Sequence, residues 1–399
     1  MATSVPAQHS RESGPLALSD RARSARGLAC VLLVVFHAIG NEPTAGMHVA
    51  RDSGLHFFAQ FFTYIRMPLF SFLSGFVYAY HPVLDSTRAQ FVLSKWRRLI
   101  VPMLTAATVT LIVELLRSQS ALGHTPGLGS VAARLPSVYL YPYHHFWFLQ
   151  ALFLAFLALI VLEGAGAVAT LPRFFAVLSV AVTGFLLVPD LSHVLFSLPQ
   201  AVYIFPFFLL GVGANRYRQV LLSRPVRLAC LALFLMSMSV QALNMFLDPA
   251  HQVYRRAAIA LATGMAANLC IIAWWPRSRL LQTIGHYSFC IYLYHSLFLN
   301  TARHAMHVAN ITEAWIVLPL LAAAGLGLPV LLQRVAEINK LSRRMVLGDW
   351  RMASTGSRSR QETTADSAAS APAWSVGATS LLEGRWKTLG RTQRASPNT

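Results

Sequence analysis

Apolar and polar stretches alternate along the chain so that ten largely apolar segments emerge, at residues 25–42, 55–80, 99–117, 144–162, 173–189, 198–214, 226–247, 257–275, 284–301 and 311–334. Most approach the roughly 20 residues that a helix needs to cross a bilayer core, and a few are short or interrupted. The pattern predicts an all-α polytopic membrane protein of about ten transmembrane helices. It divides the chain into an N-terminal tail (1–24), a transmembrane domain (25–334) and a C-terminal tail (335–399). From about residue 350 that tail reads ASTGSRSRQETTADSAASAPA, which has no apolar periodicity and is expected to be largely disordered. Basic residues precede the short first segment, as in a signal peptide. No small-x-small cleavage site follows HAIGNEPT, however, and the segment is read as a span.

Composition agrees with this reading. The chain is 55% hydrophobic and 12% charged, with a mean hydropathy of +0.51, too apolar for a soluble domain with an ordinary charged surface. A net charge of +18 invites a nucleic-acid partner, but the Lys and Arg residues sit in connections and tails between apolar segments. That placement suits anionic lipid headgroups and topology signalling, so a bilayer and no nucleic acid is expected. One alternating set of connections, counted from the N-terminal tail, holds 15 Lys and Arg and the other holds 6. The positive-inside rule then puts both termini in the cytoplasm, consistent with an even number of spans. The four cysteines lie inside apolar segments without C-x-x-C spacing, and neither a disulfide framework nor a metal site is suggested.

Ionisable residues inside the segments carry the candidate chemistry, because charge at depth costs about 2.5–3.5 kcal/mol on insertion scales and marks functional cavities by default. Arg26 and His37 are eleven residues apart, which returns a helix to nearly the same face after a rise of about 16 Å. With Arg26 at the headgroups, His37 lies near mid-membrane. The plain alternative is a histidine satisfied by one hydrogen bond from a neighbouring helix. The second segment carries Arg66 just before Pro68, followed by Ser71, Ser74 and Gly75. Pro68 removes a backbone donor, and the freed carbonyl and the serines need polar company in lipid, although Ser and Gly also serve simply as close-packing residues. Lys95, Arg97 and Arg98 in KWRRLIVP are either a solvated topology signal or an anion site. His144, His145 and Trp147 open the fourth segment, where an aromatic is ordinarily an interface anchor. Ser288, Tyr292 and His295 lie in the ninth, with His295 again at depth.

Taken in order, these blocks resemble the acyltransferase 3 family, the integral membrane O-acyltransferases of polysaccharide and lipopolysaccharide modification. Arg26 and His37 match its R-x10-H signature. MPLFSFLSGF is similar to its second-span block, KWRRLIVP to its basic block, FWFL to its W-F-L, and IGHYSFCIYLYH to its G-x-x-S-x-x-I-Y-L-x-H. Two positions depart: Lys95 stands first in the R-x-x-R motif, and Tyr294 stands where tryptophan is usual. The resemblance implies a bacterial inner-membrane, multi-pass enzyme with acetyl-CoA as donor substrate, no resident cofactor, and a glycan or lipid-linked glycan hydroxyl as acceptor. It does not extend to the soluble esterase-like domain fused to some members. In that frame His37 is the candidate acid-base group, Arg26, Lys95, Arg97 and Arg98 hold the phosphates of acyl-CoA, and Arg66 steadies a developing oxyanion. Ser71, Ser74, Trp147, Ser288 and His295 are further candidates. The competing reading is a transporter or flippase for an anionic or glycan-linked substrate, which an intramembrane Arg and His also serve. A purely structural scaffold gives no reason to keep Arg66 and His37 at depth.

Overall fold

The computed structural model describes residues 15–80, 87–120, 128–189, 191, 194–248 and 254–350, and among these it contains helices and no strands. The first helices are α1 (Pro15–Ile39), α2 (Gly54–Phe61), α3 (Thr63–Tyr78), α4 (Arg88–Lys95), α5 (Val101–Ser120), α6 (Leu128–Leu140) and α7 (Trp147–Gly164). There follow α8 (Leu171–Leu187), α9 (Leu198–Arg216), α10 (Arg218–Leu221), α11 (Arg224–Leu247) and α12 (Ala258–Trp274). The last are α13 (Arg279–His286), α14 (Ser288–Val308), α15 (Ala314–Ile338) and α16 (Lys340–Leu347).

Among the described residues six stretches are long and apolar enough to cross a membrane: α1 from Ser19, α4 with α5, α7, α9 with its preceding turn, α11 and α15. A seventh is reached if α12 and α13, bent by 120° at their junction, count as one span. Each of the ten apolar segments does contain a helix, but α8 and α12 have 17 residues and α3 has 16. α14 has 21 residues and is set apart by polarity, since His295, Asn300, Arg303 and His304 interrupt it. Four expected boundaries change, one of them at the C-terminal tail 335–399, whose first residues belong to α15 and α16. α1 begins at Pro15, so the supposed tail 1–24 is partly helix. The second segment breaks at Phe62 into α2 and α3, and the ninth breaks at Tyr287 between α13 and α14. His295 is therefore not on one helix with Gly285. The expectation of disorder from about residue 350 lies outside the described residues.

Glycines set how closely the central helices meet. Gly75 on α3 faces the Phe208 carbonyl of α9, and Gly211 on α9 faces the Phe72 carbonyl of α3; a β-carbon at either would come within 2.0 Å of that oxygen. Backbones this close leave no room for larger residues, and the Ser71 hydroxyl donates across the same seam to the Ile204 carbonyl at 2.9 Å. Pro68 cannot donate to the Tyr64 carbonyl, and Gly264 of α12 sits directly against that oxygen. α13 lies on α1 through Gly27 against the Leu281 carbonyl and Gly285 against the Arg23 carbonyl. The bundle has an inside and a lipid side. In the most apolar stretches of α1 and α9, 61% and 67% of residues are buried, against 17% in α11 and 22% in α15.

Candidate functional site

The end of α1, the loop after it, the first turn of α3, the lead into α7 and the middle of α14 enclose a cavity of about 450 Å³, within the usual range for small-molecule sites. The loop closes tightly: Gly40 (φ 98°) and Gly46 (φ 64°) adopt left-handed backbone, and the Met47 amide returns to the Ile39 carbonyl at 3.0 Å. His48 and His144 on the cavity wall also have positive φ, a costly conformation for a residue with a β-carbon that is often found at functional sites.

His37, His145 and His295 come together from α1, the α6–α7 connection and α14. Their ring centroids are 4.9 Å apart for His37–His295, 4.7 Å for His145–His295 and 6.4 Å for His37–His145. Each ring has one nitrogen against a carbonyl, and a carbonyl can only accept, so that nitrogen carries hydrogen. His37 Nδ1 donates to Leu33 O at 2.9 Å, His145 Nε2 to Leu293 O at 3.2 Å, and His295 Nδ1 to Ile291 O and Tyr292 O at 2.9 and 2.8 Å. The opposite nitrogens of the neutral rings are lone-pair acceptors. His37 and His145 line the cavity, while His295 is fully buried behind them with Nε2 unbonded. α14 grips His145 twice, through Leu293 O and through the Tyr292 hydroxyl, which donates to the His145 carbonyl. Among the described residues no group of three or more His, Cys, Asp or Glu side chains is placed to hold a metal ion.

Beside this cluster Arg66 is 5% exposed. Its guanidinium lies 3.2 Å over the Phe36 ring, and Nη2 donates to Thr63 Oγ1 at 3.1 Å. Nη1 is buried and unbonded on the cavity wall. Arg255 and Arg303 also line the cavity, and among the described residues no Asp or Glu does. Arg303 is aimed by Asn300 Oδ1 at 3.0 Å and by the His37 carbonyl at 3.3 Å. Nearby carboxylates are already engaged. Glu114 takes His144 Nε2 at 2.8 Å and the Tyr143 hydroxyl at 2.7 Å, and Glu42 takes Arg51 at 2.6 Å. Burial first, and the Glu114 carboxylate second, push the Tyr143 phenol above its ordinary range, so it remains a donor near neutrality.

The remaining sequence candidates divide between two places. Trp147 lines the cavity. Arg26 lies about 16 Å from His37 along α1, within electrostatic reach of Arg98. Arg97 and Arg98 belong to a π-helical turn, Trp96–Ile100, a local widening frequent at functional sites. Lys95 just before it rests on aromatic faces, 4.9 Å from the Phe91 ring centroid and 4.1 Å from that of Phe156. Two serines have hydroxyls engaged elsewhere: Ser71 bonds α9 and Ser74 bonds the Phe70 carbonyl of its own helix at 2.8 Å; Ser288 is buried, and its backbone carbonyl accepts from the Cys30 thiol at 3.9 Å. Sequence reasoning assigned no role to several cavity residues. His145 was visible in the HHFW block but unassigned, whereas Arg255 and Arg303 had registered only as loop charge.

A helical, multi-pass membrane protein that encloses a cavity lined by imidazoles and guanidiniums is the class defined by this fold and site. The family model described as an acyltransferase domain, that of the acyltransferase 3 family, matches residues 23–334, and the chain belongs to that family of membrane acyltransferases. No curated protein and no solved structure matches it.

Proposed function

We propose that the protein is an O-acyltransferase that moves an acetyl group from cytoplasmic acetyl-CoA to a hydroxyl of a cell-surface or exported glycan. In this reading the chain crosses the bacterial inner membrane ten times with both termini cytoplasmic, and Arg26, Lys95, Arg97 and Arg98 hold the donor's phosphates at the cytoplasmic end. The pantetheine arm then reaches inward, toward the cavity that opens on the opposite side. The observation that carries the reading is the His37 ring, whose Nδ1–H is committed to the Leu33 carbonyl while its other nitrogen is left as a base on a cavity wall shared with Arg66.

His37 Nε2 takes the proton of the acceptor hydroxyl as its oxygen attacks the thioester carbonyl. The carbonyl oxygen gains negative charge, and the Arg66 guanidinium on the cavity wall stabilises it, a contribution typically worth several kcal/mol in a dry site. The C–S bond breaks, the imidazolium returns its proton to the departing thiolate, and the products are the ester and free CoA. His295 packs its ring against those of His37 and His145 and holds them in place by contact. The test uses purified full-length protein in nanodiscs with labelled acetyl-CoA and a glycan extract from the source membrane. Thiol release coupled to label on glycan is expected for wild type. Glycan uptake into vesicles without thiol release would replace this reading by the transporter. Topology has its own test: Ala121→Cys should react with an impermeant thiol reagent from outside intact cells, and protection would refute the ten-span arrangement.

A further inference from the structure

The cavity holds more positive charge than the acyl transfer uses. One guanidinium, Arg66, suffices for the oxyanion, which exists only in passing. Arg255 and Arg303 line the same space, and each adds a guanidinium with five N–H donors and no acceptor. With no carboxylate on the wall among the described residues, and with Glu42 and Glu114 already engaged by Arg51, His144 and Tyr143, three like charges face one cavity. Repulsion in a low-dielectric surrounding is costly, and a structure retains such charges when an anion enters among them. Arg303 is also preorganised. One terminal nitrogen is fixed on Asn300 Oδ1 and the other on the His37 carbonyl, which ties its position to the proposed base.

The geometry points to an anionic glycan as acceptor, its carboxylate or phosphate held by Arg255 and Arg303 while a neighbouring hydroxyl lies at His37. This rests on the acyltransferase reading for the hydroxyl, but the anion site stands on the cavity alone. The donor's phosphates have other partners in this reading, because Arg26, about 16 Å from His37 along α1, interacts with Arg98 of the basic turn. Planar guanidinium forks suit carboxylate and phosphate alike. The acceptor class is therefore a uronic-acid or phosphate-bearing saccharide, not a neutral one.

The test measures binding to full-length protein in nanodiscs of three probes: a glucuronate-containing disaccharide, a disaccharide phosphate, and an uncharged disaccharide. At least one anionic probe should bind about 10-fold or more tightly than the neutral one, with an advantage that shrinks as salt rises. Arg255→Gln and Arg303→Gln should each remove most of that advantage. Arg134→Gln, which deletes an exposed charge on α6, should keep it. Because Arg303 also supports the end of α1, the Arg255 variant, which carries no such anchor, decides if Arg303→Gln fails to fold. Acetyl-CoA affinity in the same variants should stay within about 3-fold. A parallel fall would assign the cations to the donor and overturn the proposal. So would equal or absent binding of all three probes, or an anionic advantage that survives Arg255→Gln. An anionic advantage without any thiol release from acetyl-CoA would instead sink the acyltransferase reading and leave the anion site in place.

Discussion

Two regions of the bundle concentrate positive charge, and the chain builds them in opposite ways. Lys95, Arg97 and Arg98 lie on one π-helical turn and the residue before it, so their neighbourhood is a property of four consecutive positions. Arg66, Arg255 and Arg303 come from α3, the turn before α12 and α14, and meet only because those elements pack around one cavity. In the first region Arg97 is exposed and Arg98 half-buried. The second holds a guanidinium at 5% exposure with an unbonded nitrogen. A local basic run is cheap to make and serves topology as readily as binding. A buried, dispersed set is costly and has no topological use, and therefore says more about the ligand.

The sharpest break in this comparison is expected at His37. If the cavity is where the reaction occurs, His37→Ala should reduce acyl transfer by about 10²–10⁴-fold, the span of a general base, with the protein inserted and folded as wild type. Activity within a few-fold of wild type would move the chemistry away from the cavity. Arg66→Lys comes next. Lysine keeps the charge but loses the planar fork and the stack on Phe36, and a misplaced oxyanion donor costs about 10²–10³ in kcat. The loss should fall on kcat with acyl-CoA affinity nearly unchanged, and an equal loss in affinity would place Arg66 with the donor-binding group.

Much of the fold was legible from apolar segmentation, because each segment does form a helix. What it concealed has physical reasons. The breaks at Phe62 and Tyr287 fall within apolar or aromatic stretches, where hydropathy gives no signal of a change in helix axis. α14 is weak as a span because it is strong as a wall: the residues that interrupt its hydropathy, Asn300 and Arg303, line the cavity, and His295 lies just behind. At the site, His37, Arg66 and Trp147 were recognisable as ionisable or amphipathic groups in apolar surroundings. Arg255 was not, since it precedes its helix and looks like any loop cation. Ser71 is the reverse case, a polar residue in a suggestive motif whose hydroxyl is occupied by the α3–α9 seam.

The basic turn offers a prediction of intermediate size. If Arg98 makes a bidentate contact to a CoA phosphate, Arg98→Lys keeps the charge and loses the fork. Hydrogen bonds to charged groups contribute about 1.5–3 kcal/mol, so acyl-CoA binding should weaken by roughly 10- to 150-fold. Arg134→Lys, on the exposed face of α6, should change nothing. Wild-type affinity in both would reduce this region to a topology signal and leave the cavity as the principal ligand site.

The smallest expected effect lies at the cavity rim and tests where the charge count ends. Glu42 and Arg51 form an ion pair at 2.6 Å with side chains 43% and 45% exposed, and exposed pairs contribute about 0–1 kcal/mol. Glu42→Gln frees Arg51 and adds a fourth uncompensated cation near the opening. If anion binding is governed by Arg255 and Arg303 inside, solvent screens the added charge within about 8 Å at physiological salt. Affinity for a uronate probe should then rise by less than about 5-fold, the equivalent of 1 kcal/mol, and thermal stability should fall by no more than that pair's worth. A rise above about 10-fold that disappears at high salt would show that the loop after α1 belongs to the anion site. The contrast between a packed cationic wall and a solvated basic turn would then have to be redrawn as a gradient running from the rim inward.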